Sequence, residues 1–131
     1  MLTNECINEV SELVTEYDDI KVIEKAMLDN IGTGVGIAAV QIGILKRIII
    51  IKINGEFVTI VNPCITSKSV DKKLSKEGCL SFPGKFVKKQ RYYRITLQGS
   101  NTAFESVTYK LSGFAAFIAQ HEVDHLEGIH I

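Results

Sequence analysis

Residues 121–125 read His-Glu-Val-Asp-His, a His-Glu-x-x-His pattern close to the carboxyl end of the 131-residue chain. If this segment is helical, His125 lies one turn beyond His121 and only ~40° around the helix axis, so both imidazoles can reach one metal ion. Glu122 then lies beside that ion without having to bind it, which suits a general base that acts on water. For either histidine alone, a core helix with satisfied imidazoles would be the preferred interpretation, but the whole pattern favours a metal site.

The residues around the pattern predict the helix that it needs. Apolar side chains precede it at core-facing intervals, at Leu111, Phe114, Phe117 and Ile118. Ser112 can cap the start of this helix and Gly128 can close its end. We therefore expect the two histidines and Glu122 on one helix that faces the core.

A catalytic metal usually has three protein ligands, so a third has to come from elsewhere in the chain. The extended peptidase signature places a third histidine at position 131, but this chain has Ile131 there and His130 one place earlier. Cys79 is the better candidate, because a thiolate binds zinc or ferrous iron strongly and residues 77–84 form a glycine-flanked loop. Taken alone, a single cysteine is more often a small buried apolar residue.

Three segments together resemble the peptide deformylase family. Residues 34–41 (Gly-Val-Gly-Ile-Ala-Ala-Val-Gln), 77–81 (Glu-Gly-Cys-Leu-Ser) and 121–126 (His-Glu-Val-Asp-His-Leu) are similar to its three motifs and occur in its order. The likeness continues through residues 61–63, Arg91 and Gly113, so that it covers roughly residues 20–131. Val40 stands where family members often carry proline, and Gln41 stays in register. The chain resembles short forms of the family that end just after the metal-binding helix, some of them viral.

The resemblance implies an enzyme that removes the formyl group from the N-terminal formyl-methionine of newly made polypeptides and releases formate. It implies that three residues hold the metal ion, namely Cys79, His121 and His125. Glu122 would be the general base, while the Gln41 amide and the Leu80 backbone N–H would stabilise the oxyanion. The ligand set accepts zinc, nickel or cobalt, and the resemblance points to ferrous iron. Arg91 and Glu77 are expected to pair behind the Cys79 loop, with a surface ion pair as the alternative.

The glycine-rich first motif is expected to bind the substrate backbone. Gly36 removes a side chain that would block the approach of a peptide, so Val35, Gly36 and Gly78 could pair with the substrate as an added strand. The alternative is an ordinary glycine-rich turn. Ile37, Phe117 and Ile118 are candidates for the pocket that takes the methionine side chain, although core packing explains them equally well.

The secondary-structure pattern predicts an α+β fold with mainly antiparallel strands packed around the carboxyl-terminal helix. Asp19 caps a helix with apolar positions Ile20, Ile23, Met27 and Ile31. Residues 47–53 and 56–61 form a hairpin with a type I′ turn at Asn54-Gly55, and its first strand is buried on both faces. Residues 86–98 and 103–110 are two more strands. The spacing of Leu2, Cys6, Val10, Leu13 and Val14 favours an amphipathic helix at the start.

Composition indicates one domain, residues 1–131, with 46% hydrophobic and 23% charged residues. Fifteen basic and fifteen acidic residues cancel, and no apolar run approaches the length of a membrane span. We therefore expect a cytoplasmic protein without membrane or sequence-specific nucleic-acid partners. Three cysteines without a pairing pattern fit a reducing compartment, with Cys6 and Cys64 as packing residues.

Two further interpretations remain from the sequence alone. Basic residues interleave with aromatic ones over residues 85–94, a pattern that could bind nucleic acid or the ribosome. A solvated strand face is the commoner explanation. Other functions would be a different His-Glu-x-x-His hydrolase, such as a peptidase, or a non-catalytic domain whose zinc is enclosed by Cys79, His121, His125 and His130.

Overall fold

The computed structural model describes residues 10–79 and 82–129, apart from the side chains of Cys79, Phe82, Pro83 and Lys85. Its elements are, in chain order, α1 (Ile20–Ile31), β1 (Gly36–Ala38), a 3-10 turn (Ala39–Ile42), β2 (Ile48–Ile53), β3 (Glu56–Lys68), β4 (Lys72–Cys79), β5 (Phe82–Tyr92), β6 (Arg94–Ser100), β7 (Ser106–Ser112) and α2 (Phe114–Leu126). Within these residues, neither α-helix has the length and apolar composition that crossing a membrane requires.

Two antiparallel sheets make up the β-structure. The larger has the strand order β1-β2-β3-β6-β7, and β4 pairs with β5 in the smaller one. Both α-helices pack against the larger sheet. This arrangement confirms the predicted α+β fold with mainly antiparallel pairing.

Strand β2 separates two apolar clusters. Its first four residues, Ile48 to Ile51, are all fully buried, and successive side chains of a strand point to opposite faces. Ile49 and Ile51 pack with Ala116, Ile118, Ala119 and Leu126 of α2, whereas Ile48 and Ile50 pack with Ile20, Met27 and Ile31 of α1. The sheet is therefore covered on both faces at this end, and α2 is held against β1 and β2.

The predictions for α1 and for the first hairpin are confirmed. Asp19 is the N-cap of α1 and accepts a hydrogen bond from the Val22 backbone N–H at 3.3 Å, and Gly32 ends the helix with a φ of 56°. In the hairpin, Asn54 and Gly55 have φ values of 50° and 84°. Positive φ at both central residues is what a type I′ turn requires.

The second half of the β-structure differs from the prediction. The single strand predicted over residues 86–98 is two strands, β5 and β6, which lie in different sheets and are separated at Tyr93. The predicted glycine-flanked loop is also wrong in part, because residues 72–79 form strand β4 and pair with β5 from Lys72↔Tyr92 to Cys79↔Phe82. The motif that contains Cys79 therefore belongs to a two-stranded hairpin.

Three predictions about single residues are wrong. Ser112 ends β7, and the N-cap of α2 is Gly113 with a φ of 63° and no capping side chain. Phe114, the first residue of α2, is 66% exposed rather than in the core. Cys64 is exposed rather than packed, because β3 shifts register between Val61 and Cys64.

Residues 10–18 do not form the amphipathic helix that was predicted for the start of the chain. Glu12 bridges Lys46, and the Asn62 side chain binds both the N–H and the carbonyl of Val14, at 2.8 and 3.1 Å. The Ser11 backbone N–H donates to the Leu126 carbonyl at 2.8 Å. These long-range bonds hold the segment in an extended form across the end of α2, while Leu2 and Cys6 lie outside the described residues.

Candidate active site

Helix α2 brings the two histidines of the pattern together. The Nε2 atoms of His121 and His125 are 3.1 Å apart, and their rings are nearly perpendicular, at 88°. Both side chains are buried, with 7% and 1% exposed. Two nitrogen ligands on a tetrahedral ion at usual bond lengths lie ~3.4 Å apart, so this pair needs to open by only a few tenths of an ångström to bind one ion.

Glu77 of β4 fixes the orientation of His121. One of its carboxylate oxygens lies 2.9 Å from His121 Nδ1. Because a carboxylate accepts hydrogen bonds, this contact assigns the proton to Nδ1 and leaves the Nε2 lone pair directed towards His125. A histidine that binds metal through Nε2 needs this tautomer, so the donor chemistry of His121 fits a metal ion.

Arg91 completes a buried network behind the histidines. Its guanidinium donates to both oxygens of Glu77, at 2.7 and 2.8 Å, and to Asp124 at 2.5 Å. The Arg91 and Glu77 side chains are only 5% and 7% exposed, so the alternative of a surface ion pair is wrong. Burial raises the pKa of Glu77, but hydrogen bonds from Arg91 and His121 outweigh it and lower that pKa to about 2. Glu77 is therefore ionised at neutral pH.

Two members of the surrounding network were not anticipated from the sequence. Asp124, at a variable position of the pattern, accepts from Arg91 and lies 3.3 Å from the ammonium of Lys89. Gln120 donates to the Tyr92 carbonyl at 2.8 Å and accepts from the Tyr92 N–H at 2.9 Å. Together they attach β5 to α2. Their spacing was the signal, since Asp124 lies three positions from His121 and four from Gln120, which places these side chains next to one another on the helix.

Glu122 has a buried carboxylate oxygen without a hydrogen-bond partner in the described part of the chain. It is 4% exposed, and its Oε1 atom is buried without a hydrogen-bond partner among the described residues. Burial raises the pKa of its carboxyl from 4.5 to about 7, which His121 opposes and the charge of Glu77 reinforces. A carboxyl with a pKa near neutrality can both take up and release a proton at physiological pH.

Gly36 allows β1 to lie directly against Glu122. A Cβ atom added at Gly36 would lie 2.8 Å from Glu122 Oε2 and 2.8 Å from Ile118 Cγ2, distances that real Cβ atoms do not show. Strand β1 is an edge strand, paired only with β2 among the described strands through Gly36↔Ile51 and its neighbours. The open edge of the sheet therefore passes next to the Glu122 carboxylate.

Gln41 is buried rather than on the surface, with 1% exposed. It lies in the 3-10 turn that follows β1, and its side-chain carbonyl accepts a hydrogen bond from the Ala38 N–H at 2.8 Å. This bond fixes the amide plane, so the NH₂ group of Gln41 points away from the Ala38 backbone. The side chain is thus oriented rather than free to rotate.

The remaining candidate residues lie in several different parts of the structure. Val35 precedes β1, and its carbonyl accepts from the Lys52 N–H at 2.8 Å, while Gly78 lies in β4 opposite Phe86. Ile118 packs in the cluster of α2, and Phe117 contacts the Tyr93 ring edge to face at 6.4 Å. Ile37 is fully buried in the cluster of α1, on the other face of the sheet, which favours core packing over a role in a pocket.

Three candidates are not tested by the described residues. Cys79 ends β4 two residues after Glu77, but only its backbone is described. Leu80 and His130 lie outside the described residues, and no group of three metal-binding side chains occurs within them. The sulfur ligand and the backbone donor therefore remain predictions.

Comparisons with known proteins agree with this geometry. A family model described as polypeptide deformylase matches residues 1–131. The peptide deformylase of Thermotoga sp. (strain RQ2) is 39% identical over 121 residues, which cover 90% of this chain and 74% of that protein.

Solved structures give the same result over nearly the whole chain. The enzyme of the Vibrio parahaemolyticus bacteriophage VP16T, in complex with actinonin, has a TM-score of 0.92 at 33% identity and covers 98% of this chain and 95% of its own. A probable peptide deformylase from Synechococcus phage S-SSM7 has a TM-score of 0.90 at 35% identity and covers 99% and 97%. The chain belongs to the peptide deformylase family, metal-dependent hydrolases that remove the N-terminal formyl group from nascent peptides.

Proposed function

We propose that Glu122 is the general base of this deformylase and that Cys79, His121 and His125 hold its metal ion. The observation that carries the proposal is the buried Glu122 carboxylate, which has an oxygen without a hydrogen-bond partner in the described residues and lies beside two imidazoles only 3.1 Å apart. Burial without a partner destabilises a carboxylate, and such groups concentrate at functional sites. A purely structural helix would place an apolar residue at position 122.

A divalent cation, when bound, supplies a Lewis acid and lowers the pKa of water towards neutrality. Glu122 accepts the proton of the attacking water while the water oxygen forms a bond to the formyl carbon. Glu122 then delivers that proton to the amine nitrogen as the carbon–nitrogen bond breaks, and formate leaves with the oxygen of the water. In the metal-free protein burial raises the pKa of Glu122 to about 7, and the charge of a bound cation would favour the ionised carboxylate that accepts the proton.

The charge that develops on the formyl oxygen needs hydrogen-bond donors. The Gln41 NH₂ group is one, because the bond from Ala38 N–H to its carbonyl holds the amide in place before the substrate arrives. The backbone N–H of Leu80 is the second donor in this proposal. Removal of one such donor is expected to lower turnover by a factor on the order of 10²–10³.

The substrate backbone is proposed to extend the sheet at β1. Glu122 of α2 lies against Gly36, and His121 lies against Glu77 of β4, so α2 is flanked by the two glycine-containing strands. A peptide placed along Val35 and Gly36 on one side and Gly78 on the other would bring its formyl group over the helix. Phe117 and Ile118 are the side chains of α2 that we assign to the methionine pocket.

Ferrous iron is the metal that we propose, with zinc, nickel and cobalt as alternatives. An iron site with a thiolate ligand is sensitive to oxygen, because both the metal and the sulfur can be oxidised. The protein reconstituted with iron should therefore lose activity in air faster than the protein reconstituted with nickel or cobalt. Equal lifetimes for the three metals would refute the iron assignment.

The decisive experiment measures formate release from formyl-Met-Ala by protein purified without oxygen. Glu122→Gln should lose at least two orders of magnitude in turnover and still bind one metal ion per chain, whereas His121→Ala should lose the metal. Glu56→Gln, an exposed carboxyl at the start of β3, is the matched control and should behave like the parent. A Glu122→Gln protein as fast as the parent would exclude Glu122 as the base.

A further inference from the structure

The neutral total charge of the chain conceals a strong segregation of charge. Residues 68–94 contain nine of the fifteen basic residues and two of the fifteen acidic ones, so this segment carries +7 and the rest of the chain −7. The segment consists mainly of the hairpin β4–β5. One end of the molecule is therefore strongly basic, although composition alone excludes a global field.

Two basic residues on the inner face of this hairpin are electrically compensated. Arg91 is paired with Glu77 and Asp124, and Lys89 with Asp124. These contacts belong to the network that supports His121. Arg91 and Lys89 therefore have a structural reason to be there, whereas Lys73, directly opposite Arg91, is exposed.

The outer face of the hairpin has no such compensation. Lys76 and Lys88 stand directly opposite each other across the two strands, and Lys72 stands opposite Tyr92. All three lysines are exposed, and no carboxylate of the described residues lies within 4.0 Å of their ammonium groups. Like charges directly opposite each other destabilise a sheet, so this pairing contributes nothing favourable to folding.

Two aromatic rings lie between these lysines, one of them exposed. Phe86 is 62% exposed, with the Lys76 ammonium 5.5 Å from its ring centre. The ring of Tyr92 has the ammonium groups of Lys68 and Lys72 at 5.1 and 4.6 Å. The Phe86 ring is therefore available for stacking beside a cation, whereas the Tyr92 ring is half-buried against the apolar cluster of α2.

A basic cleft of about 480 Å³ continues this surface at the base of the hairpin. Three cations line it, Lys68, Arg94 and Lys110, together with the hydroxyl side chains Ser67, Ser69, Thr96 and Ser112. Asp71 is the acidic residue among its lining residues and lies 3.8 Å from Arg94. Lys68 belongs to both the cleft and the Tyr92 cluster, so the positive surface extends from the cleft to Lys72.

We propose that this basic face, formed by Lys68, Lys72, Lys76, Lys88 and the exposed ring of Phe86, binds single-stranded RNA without sequence preference. Flexible ammonium groups suit phosphates, and an exposed ring between them suits a stacked base, the combination used by proteins that bind single strands. An acidic protein would use the lysines but would leave the exposed Phe86 ring without a role. The choice of RNA over DNA rests on the activity towards nascent peptides, which are made on RNA.

Fluorescence anisotropy with a labelled 20-nucleotide oligouridylate tests the proposal across a salt series. Binding should weaken with salt with a log–log slope of about −3, as expected for about four phosphate contacts. The double substitution Lys76→Gln/Lys88→Gln should weaken binding at least tenfold at low salt and reduce the slope by about 1.4. Phe86→Ala should weaken binding about fivefold or more and leave the slope unchanged, because stacking releases no counterions.

The matched control is Lys21→Gln/Lys25→Gln, which removes the same two charges from exposed positions on α1 that pair with Glu24 and Asp29. This variant should bind the oligonucleotide within twofold of the parent. An equal loss in both double variants, poly-L-glutamate competing as well as unlabelled oligouridylate, or no binding at low salt would overturn the proposal.

Formate release from formyl-Met-Ala should be unchanged in both double variants. The two inferences can therefore fail separately, because RNA binding and deformylation are read out independently.

Discussion

Replacement of Glu122 by glutamine should stabilise the metal-free protein at alkaline pH and have little such effect at acidic pH. Glu122 is 4% exposed, its Oε1 has no partner among the described residues, and burial raises its pKa from 4.5 to about 7. A carboxyl whose pKa is raised on folding holds its proton more tightly in the native state than in the unfolded state. Its destabilising effect therefore appears as the pH rises from 4.5 to 7 and is complete above 7.

The magnitude follows from the size of the shift. A rise of this extent corresponds to about 3 kcal/mol of destabilisation at pH 8 and to less than about 1 kcal/mol at pH 5. Glutamine cannot ionise, so the Glu122→Gln protein lacks this cost at every pH. The difference in the free energy of unfolding between variant and parent should therefore shift by about 2–3 kcal/mol in favour of the variant between pH 5 and pH 8.

Urea denaturation of both proteins after treatment with a chelator measures this difference. Every other titrating group is common to the two proteins, so its contribution largely cancels in the comparison. Glu56→Gln removes an exposed carboxyl instead, and its difference from the parent should not vary with pH by more than about 0.5 kcal/mol. If the difference between Glu122→Gln and the parent were constant from pH 5 to pH 8, the inferred effect of burial on Glu122 would be incorrect.

Three further predictions concern other parts of the molecule. Gly36→Ala and Gly99→Ala each add a Cβ atom only 2.8 Å from two neighbouring atoms. Both substitutions should therefore lower the free energy of unfolding by about 1–3 kcal/mol. Only Gly36→Ala should also abolish formate release by the folded fraction. Arg91→Met should destabilise the protein by about 3 kcal/mol in urea denaturation, because it leaves the ionised Glu77 buried without its main partner, and a loss below 1 kcal/mol would refute this account of the network. His130→Ala should retain metal and formate release, whereas loss of the ion would indicate that position 130 is a ligand.

Local sequence signals were sufficient to predict features that are set by residues a few positions apart in the chain. Asp19 and Gly32 bound α1, and Asn54-Gly55 sets the hairpin, because a capping carboxylate and residues with positive φ act within a few positions. The spacing of His121, Glu122 and His125 likewise determines their relative placement once the segment is helical. These features needed no information about the rest of the fold.

Features decided by distant contacts were not predictable in the same way. Residues 86–98 read as one strand, since nothing at Tyr93 marks the point where the chain leaves β4 and joins β3 and β7. Strand β4 lacks an apolar alternation because its inner face carries Ser75 and Glu77, which are buried by the Arg91 network instead of by apolar packing. The polar pattern was therefore interpreted as a loop.

The predictions for the start of the chain and for the network around the site were incomplete for the same reason. The spacing of Val10, Leu13 and Val14 fits a helix, but bonds from Asn62 and Leu126 hold the segment extended. The pairing of Arg91 with Glu77 was expected from the resemblance, whereas the part played by Asp124 depends on how β5 lies across α2. Partners far apart in sequence cannot be identified from local periodicity.

The shortness of strand β1 has a consequence for which proteins such an enzyme can process. Its three residues span ~10 Å, about the length of a tripeptide in extended form. A polypeptide aligned with so short an edge contacts the enzyme only through its first few residues, and the residues beyond them stay in solvent. Under the proposed mode of binding, discrimination stops at the formyl-methionine and its immediate neighbours, so a single small catalyst can serve almost any newly made chain.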